Sequence, residues 1–241
     1  MNILNDDDFA ILSSKALLGD MLSMIVHQWK QPLSIINILS TNMDFQLEMN
    51  NFDKERFLTW NKQLQEQIQY MSETIDDFRD FSDIKKEKNR INVQNCIQRA
   101  IRFTNIILTK NEISLEVYYH TKDLEILAFH NDICQILIIL ISNAKDKFLL
   151  LDLESKKIII EVSENDLGLL ITVKDNGGII NEEILKNIFQ ENFTTKEDKR
   201  GNGLGLFIAN KIIKEHLDGK IWVENLCDEN SVRFCLLVPT L

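Results

Sequence analysis

The sequence predicts an α+β chain in two parts. An antiparallel helical hairpin over residues 1–88, paired with a second copy as a dimeric four-helix bundle, precedes an α/β two-layer sandwich over residues 89–241. Three observations predict this. Apolar residues recur at seven-residue spacing in two successive segments near the N-terminus, the charged run KKEKNR ends that repeat, and β-branched strands then alternate with amphipathic helices to the C-terminus. A content of only 8 Gly and 2 Pro favours long elements with few loops over an all-β sandwich.

Asp6 to Asp8 cap the first helix, their charges suited to the positive end of its dipole. Leu18, Ile25, Pro32 and Leu39 repeat at seven-residue spacing, with Met21/Leu22, Trp29, Ile35/Ile36 and Met43 filling the second apolar position. Asn50 and Asn51 supply a turn, and Asp53 the next N-cap. The second helix repeats Phe57, Leu64, Met71 and Phe78, with Ile68 and Ile75 between them, and runs to about Ile84. Each helix would be about 45–50 Å long at 1.5 Å per residue. A lone hairpin of that length leaves an apolar face bare, and a second copy covers it. Lys85 to Arg90 marks the domain boundary. Beyond it the spacing predicts strands over 112–119, 124–129, 157–163, 168–174, 220–225 and 231–238, and helices over 93–108, 132–150, 181–187 and 204–217.

The formal net charge of −10 excludes a general nucleic-acid or anionic-membrane binder, which needs a net basic footprint. Cys96, Cys134, Cys227 and Cys235 form no CxxC pair and have no His at ligand spacing, so reduced, mostly buried thiols are expected. The most apolar run, Ile136 to Ile141, is far shorter than the roughly 20 residues a membrane span needs. The acidic start MNILNDDDF is unlike a signal peptide, and a cytoplasmic location is expected.

Against this frame a few residues are out of character. His27 falls on the outward face, and Pro32 leaves the carbonyl of Gln28 without its helical partner, at roughly 3 kcal/mol in a helix interior. Either the kink shapes the surface round a reactive imidazole or it is merely tolerated. Asn143 follows the greasy face of DICQILIILISNAKDKF, where an amide can satisfy a backbone group or serve as a hard oxygen ligand for Mg²⁺. KDNGG, Lys174 to Gly178, is a hairpin turn or a ligand loop. In RGNGLGLFIANKII, Gly201, Gly203 and Gly205 let backbone approach a ligand while the following helix offers free N–H groups to an anion. Lys196, Lys199 and Arg200 lie in a polar loop that is either a lid over phosphate or a solvated surface.

The order of these features resembles the sensor histidine kinases of two-component systems, over about Lys15 to Val238. HQWKQPL is similar to their phospho-acceptor box, SNAKD to the N box, DNGG to the first G box, IFQENFTTK to the F box and GNGLGL to the second G box. The resemblance implies a dimerisation and histidine-phosphotransfer hairpin followed by an ATP-binding domain of the kind shared with gyrase, Hsp90 and mismatch-repair ATPases. It implies His27 as phospho-acceptor with Gln28 and Gln31 beside it, Asn143 as Mg²⁺ ligand and Asp175 as partner of the adenine amino group. Phe193 would pack in the lid, and Gly201, Gly203 and Gly205 would form the phosphate loop, with Lys147, Gly177, Thr195, Lys196 and Leu204 completing the ATP site. The implied activity is autophosphorylation of His27 and transfer to an aspartate of a response-regulator receiver domain, with the sensory domain separate or removed. The chain departs from the family pattern at Gln28, where many members have Glu, at Ile139, where an earlier Asn is common, and at Ile179, where a Gly is usual. Gln28 and Ile179 leave a phosphatase-biased or non-catalytic receiver-binding scaffold as one alternative. An ATP-driven clamp of the same nucleotide fold is another.

Overall fold

The computed structural model describes Val26 and residues 29–48, 52–82, 87–194 and 203–240, with backbone alone for 77–82. The cap at Asp6 to Asp8, the seam positions Leu18, Met21, Leu22 and Ile25, and the turn at Asn50 and Asn51 lie outside the described residues. The chain divides into two compact units, Met1–Asp83 and Ile84–Leu241, a division ahead of the expected 88/89.

The first unit holds helix α1, residues 29–48, and helix α2, Lys54–Ser82. Asp53 caps α2, its Oδ1 accepting from the Arg56 N–H at 3.0 Å. Phe52 and Phe57 flank that cap with ring centroids 5.4 Å apart, a hydrophobic staple that fixes the entry of the chain into the helix. Helix α1 runs unbroken through a buried Pro32, and Pro32, Leu39 and Gln46 are its fully buried positions, so the seven-residue repeat continues into a polar side chain. On α2, Phe57, Leu64 and Met71 are half-buried as the repeat requires. Ile68 and Ile75 are not seam residues: each is 48% exposed. The second seam position falls three residues after each of the first, at Trp60, Gln67 and the buried Thr74, whereas an offset of four turns the two isoleucines onto the flank. On α1, Ile38 and Phe45, seven residues apart, are also exposed.

The second unit runs β1 (Asn89–Asn92), α3 (Val93–Lys110), β2 (Ile113–Tyr119), β3 (Glu125–Ala128), α4 (Asp132–Phe148), β4 (Lys156–Asn165), β5 (Gly168–Asp175), α5 (Glu182–Leu185), α6 (Gly205–Glu215), β6 (Lys220–Leu226) and β7 (Ser231–Val238). Strand β1 corrects the reading of Lys85 to Arg90 as boundary alone: Asn89 and Arg90 open a strand that pairs antiparallel with β3, Ile91 opposite Ile126. Asn92 then caps α3, its Oδ1 accepting from the Gln94 N–H at 2.9 Å.

The main sheet has the order β2-β4-β5-β7-β6, parallel between β2 and β4 and antiparallel elsewhere. Period-2 alternation puts Ile158, Ile160 and Val162 of β4, Leu169, Ile171 and Val173 of β5, and Val232, Phe234 and Leu236 of β7 on one buried face. Against the other side of this core α4 packs between α3 and α6, with Ile133, Ile136, Leu137, Leu140 and Phe148 fully buried. The opposite sheet face is solvated and carries cross-strand ion pairs such as Lys157 with Glu116 at 2.9 Å and Arg233 with Glu224 at 2.6 Å. Cys96, Cys134 and Cys235 are buried thiols, and Cys227 is exposed. No described helix is long and apolar enough to cross a membrane.

Candidate functional site

Residues 139, 143 and 147 lie four apart on α4 and form one stripe along the helix. At its upstream end Ile139 meets Gly205, the first residue of α6: a Cβ on that glycine would sit 3.3 Å from the Ile139 methyl. At the downstream end the Lys147 stem lies against Gly177 and its Nζ donates to the Gly178 carbonyl. Between them Asn143 is half-buried, and its amide makes no hydrogen bond among the described residues. One helix face thus connects the glycine-rich start of α6 to the DNGG turn.

Asp175 ends β5 on the buried face, opposite Ile158 on one side and Val232 on the other. It is 4% exposed. Its Oδ1 accepts from the Gly177 N–H at 2.9 Å, leaving Oδ2 without a protein donor among the described residues. Burial pushes the Asp175 carboxyl above the usual carboxylate range, and the Lys147 ammonium and the Gly177 N–H pull against that. Burial likewise pulls Lys147 below its ordinary value, with Asp175 opposing. The two desolvated groups support each other's charge. Gly177 has no room for a side chain, since a Cβ would lie 2.9 Å from Asp175 Oδ1 and 3.0 Å from Lys147 Cδ. Ile179 points outward, 49% exposed.

At the other end, Gly203 has φ +65°, and a Cβ there would lie 2.6 Å from the Asn192 carbonyl carbon and 2.9 Å from the Phe193 oxygen. This contact joins Phe193, itself half-buried, to the start of α6. Leu204 is the N-cap and contributes no side-chain hydrogen bond. A glycine-led helix start of this kind directs backbone N–H groups toward one point, an arrangement that suits an anion.

Of the expected site residues, Asn143, Lys147, Asp175 and Gly177 therefore come together, and Phe193, Gly203, Leu204 and Gly205 form a second group joined to them through Ile139. Gln31 lies on α1 and is exposed. His27, Gln28, Thr195, Lys196 and Gly201, with Lys199 and Arg200, lie outside the described residues. Sequence reasoning missed Asn176, whose side chain ties the turn to Ser155 and Lys157, and Asn225, whose side chain bonds both backbone groups of Ile180. Asn176 stood in the DNGG motif as a turn former. Asn225 offered only one polar residue among several in strand β6.

Comparison with known proteins agrees with this geometry. The family model described as histidine kinase-, DNA gyrase B- and HSP90-like ATPase matches residues 129–240. The two-component sensor PprA of Pseudomonas aeruginosa is 25% identical over 214 residues, 87% of this chain and 23% of PprA, so the chain spans less than a quarter of that relative's length. The catalytic domain of the histidine kinase ThkA superposes with a TM-score of 0.55 at 32% identity, over 64% of this chain and 96% of that one. A structure of ThkA in complex with the response regulator TrrA matches with a TM-score of 0.53 at 26% identity, over 94% of this chain and 63% of that one. With its glycine-led helix start and buried carboxylate turn joined along one face of α4, the chain belongs to the histidine kinase family and carries its catalytic core.

Proposed function

We propose that this chain is an ATP-dependent protein-histidine kinase that phosphorylates His27 and passes the phosphoryl group to an aspartate of a response-regulator receiver domain. The observation that carries the reading is the α4 stripe, which sets an unpartnered amide, Asn143, between a carboxylate turn able to read a purine amino group and a helix start able to hold phosphates. On this reading Asp175 Oδ2 accepts from the adenine amino group, while the Gly177 N–H holds Oδ1 in place. Phe193 packs against the nucleotide, Thr195, Lys196 and Gly201 are assigned to the same site by their place in the motifs, and the backbone at Gly203, Leu204 and Gly205 faces its phosphates. Asn143 supplies one oxygen for Mg²⁺. Among the described residues no cluster of His, Cys, Asp or Glu could hold a metal alone, which fits a cation whose other ligands come from nucleotide and water. That ion would neutralise phosphate charge.

Residues 1–88 are the dimerisation and phosphotransfer part and 89–241 the ATP-binding part, so transfer requires the two to meet. A neutral imidazole nitrogen of His27 forms a bond to the γ-phosphorus as the bond to the bridging oxygen of the leaving ADP breaks. Gln28 cannot serve as a base, because a neutral amide has no proton-accepting site of useful basicity. A homodimer is supported by the apolar flank of Ile38, Phe45, Ile68 and Ile75, which a single hairpin leaves exposed. The setting is cytoplasmic. Incubation with γ-labelled ATP should give acid-labile, base-stable label that His27→Gln abolishes while nucleotide affinity is retained, and that Asn143→Ala also removes. Label persisting in His27→Gln would rule the assignment out.

A further inference from the structure

The turn after β5 is held by three side chains from separate places. Asn176 Oδ1 accepts from the Lys157 N–H at 2.8 Å, and its Nδ2 donates to the Ser155 carbonyl at 2.9 Å. Lys147 of α4 donates to the Gly178 carbonyl. Asn225 of β6 takes the far end: its Oδ1 accepts from the Ile180 N–H at 2.9 Å and its Nδ2 donates to the Ile180 carbonyl at 2.7 Å.

The sheet register explains how one amide can do this. Asn225 pairs with Val232, and Val232 pairs with Asp175, so the three lie in one cross-strand row on one face. The chain leaves the row at Asp175 and is caught two strands away by Asn225, over a Val232 that is only 1% exposed. Asn225 offers one acceptor and one donor to a single residue, as an antiparallel partner strand would. A turn with two successive glycines, one at φ +87°, has many competing conformations unless such bonds select one.

We propose that Asn225 is a positioning residue for base recognition: by holding Ile180 it fixes the path of 177–180, and with it the Gly177 N–H and the Asp175 carboxylate that Gly177 orients. Asn225 touches no reacting atom. The inference rests on the nucleotide reading of this site. It assigns to β6 a part in selecting the base while the phosphate end, at α6, is independent of it.

The test uses the full chain and two probes, ATP and inorganic tripolyphosphate, with Asn225→Leu and Asn225→Asp. Loss of two net hydrogen bonds should weaken ATP about tenfold in Asn225→Leu. Asn225→Asp keeps the acceptor and loses the donor, so its ATP affinity should fall between that of the leucine variant and the parent. Tripolyphosphate should change less than about twofold in either variant. In the parent, ATP should slow hydrogen exchange of the Ile180 amide and tripolyphosphate should not. ATP affinity within about twofold of the parent in a folded variant, or equal losses for both probes, overturns the proposal. So does Ile180 exchange that ignores ATP, a measurement that needs no variant to fold. A parent chain that binds neither probe overturns the nucleotide reading itself, and this inference with it.

Discussion

Gln31 stands exposed on α1, four residues along the sequence from His27, a spacing that shares one face on any continuous helix. Its amide can give one hydrogen bond to a water and take another without accepting a proton, which suits positioning a hydrolytic water against a phosphorylated partner. Gln31→Ala should leave His27 labelling within about twofold and slow phosphate loss from a receiver domain about tenfold, or 1.4 kcal/mol in barrier. Equal loss of both rates would mark the residue as structural. A second residue-scale effect lies away from the nucleotide. His216, at the end of α6, shares a 3.0 Å bond through Nδ1 with Asp132 Oδ1 at the start of α4, and Asp132 is 4% exposed with its Oδ2 unpartnered among the described residues. That bond raises the His216 pKa above the ordinary imidazole value, with burial opposing. A folded pKa above the unfolded one means the contribution is whole below pH 6.5 and fades as pH rises through the folded value. Ion pairs with one half-exposed partner contribute about 0.2–1 kcal/mol in general. Thermal melts at pH 6 and pH 8.5 should show His216→Gln losing this slope, and an unchanged slope would assign it to another group.

Helix α6 begins where its sequence permits a left-handed residue pressed against another backbone. Gly203→Ala should therefore cost about 1–2 kcal/mol and loosen the link to Phe193, lowering ATP affinity with it. Denaturant titration with and without ATP measures both, and a neutral variant would show that the contact is dispensable. Much at this scale was legible in the sequence. Long elements with a clear period, such as α3, α4, β4, β5 and β7, lie close to their expected bounds because many residues report each one. Strand β1 was not legible: its four residues include one fully buried position, Ile91, beside charges that read as a linker. The α2 seam misled for a related reason, since apolarity points to Ile68 and Ile75 while packing selects Gln67 and Thr74. The motif residues of the site could be read from order and type. Asn225 could not, because its role depends on a register between strands far apart in sequence.

For the molecule as a whole, the flank of Ile38, Phe45, Ile68 and Ile75 is where a second copy is proposed to dock. Ile68→Asp with Ile75→Asp should convert a dimer to a monomer in sedimentation velocity, abolish labelling between chains, and leave ATP affinity within about twofold, since the binding residues lie in the other unit. A dimer that survives would place the interface elsewhere. Strand β1 is laddered to β3, so the chain is tied into the second unit's sheet structure from Asn89 onward. Only residues 83–88 then separate α2 from that ladder, a leash of about 20 Å even when fully extended. On the proposed reading, a connection this short would present the acceptor to the nucleotide at an effective concentration in about the millimolar range. Phosphorylation of the tethered histidine should therefore proceed at a rate per chain that does not depend on dilution once the dimer has formed, and a detached hairpin added at micromolar concentration should compete for the nucleotide poorly.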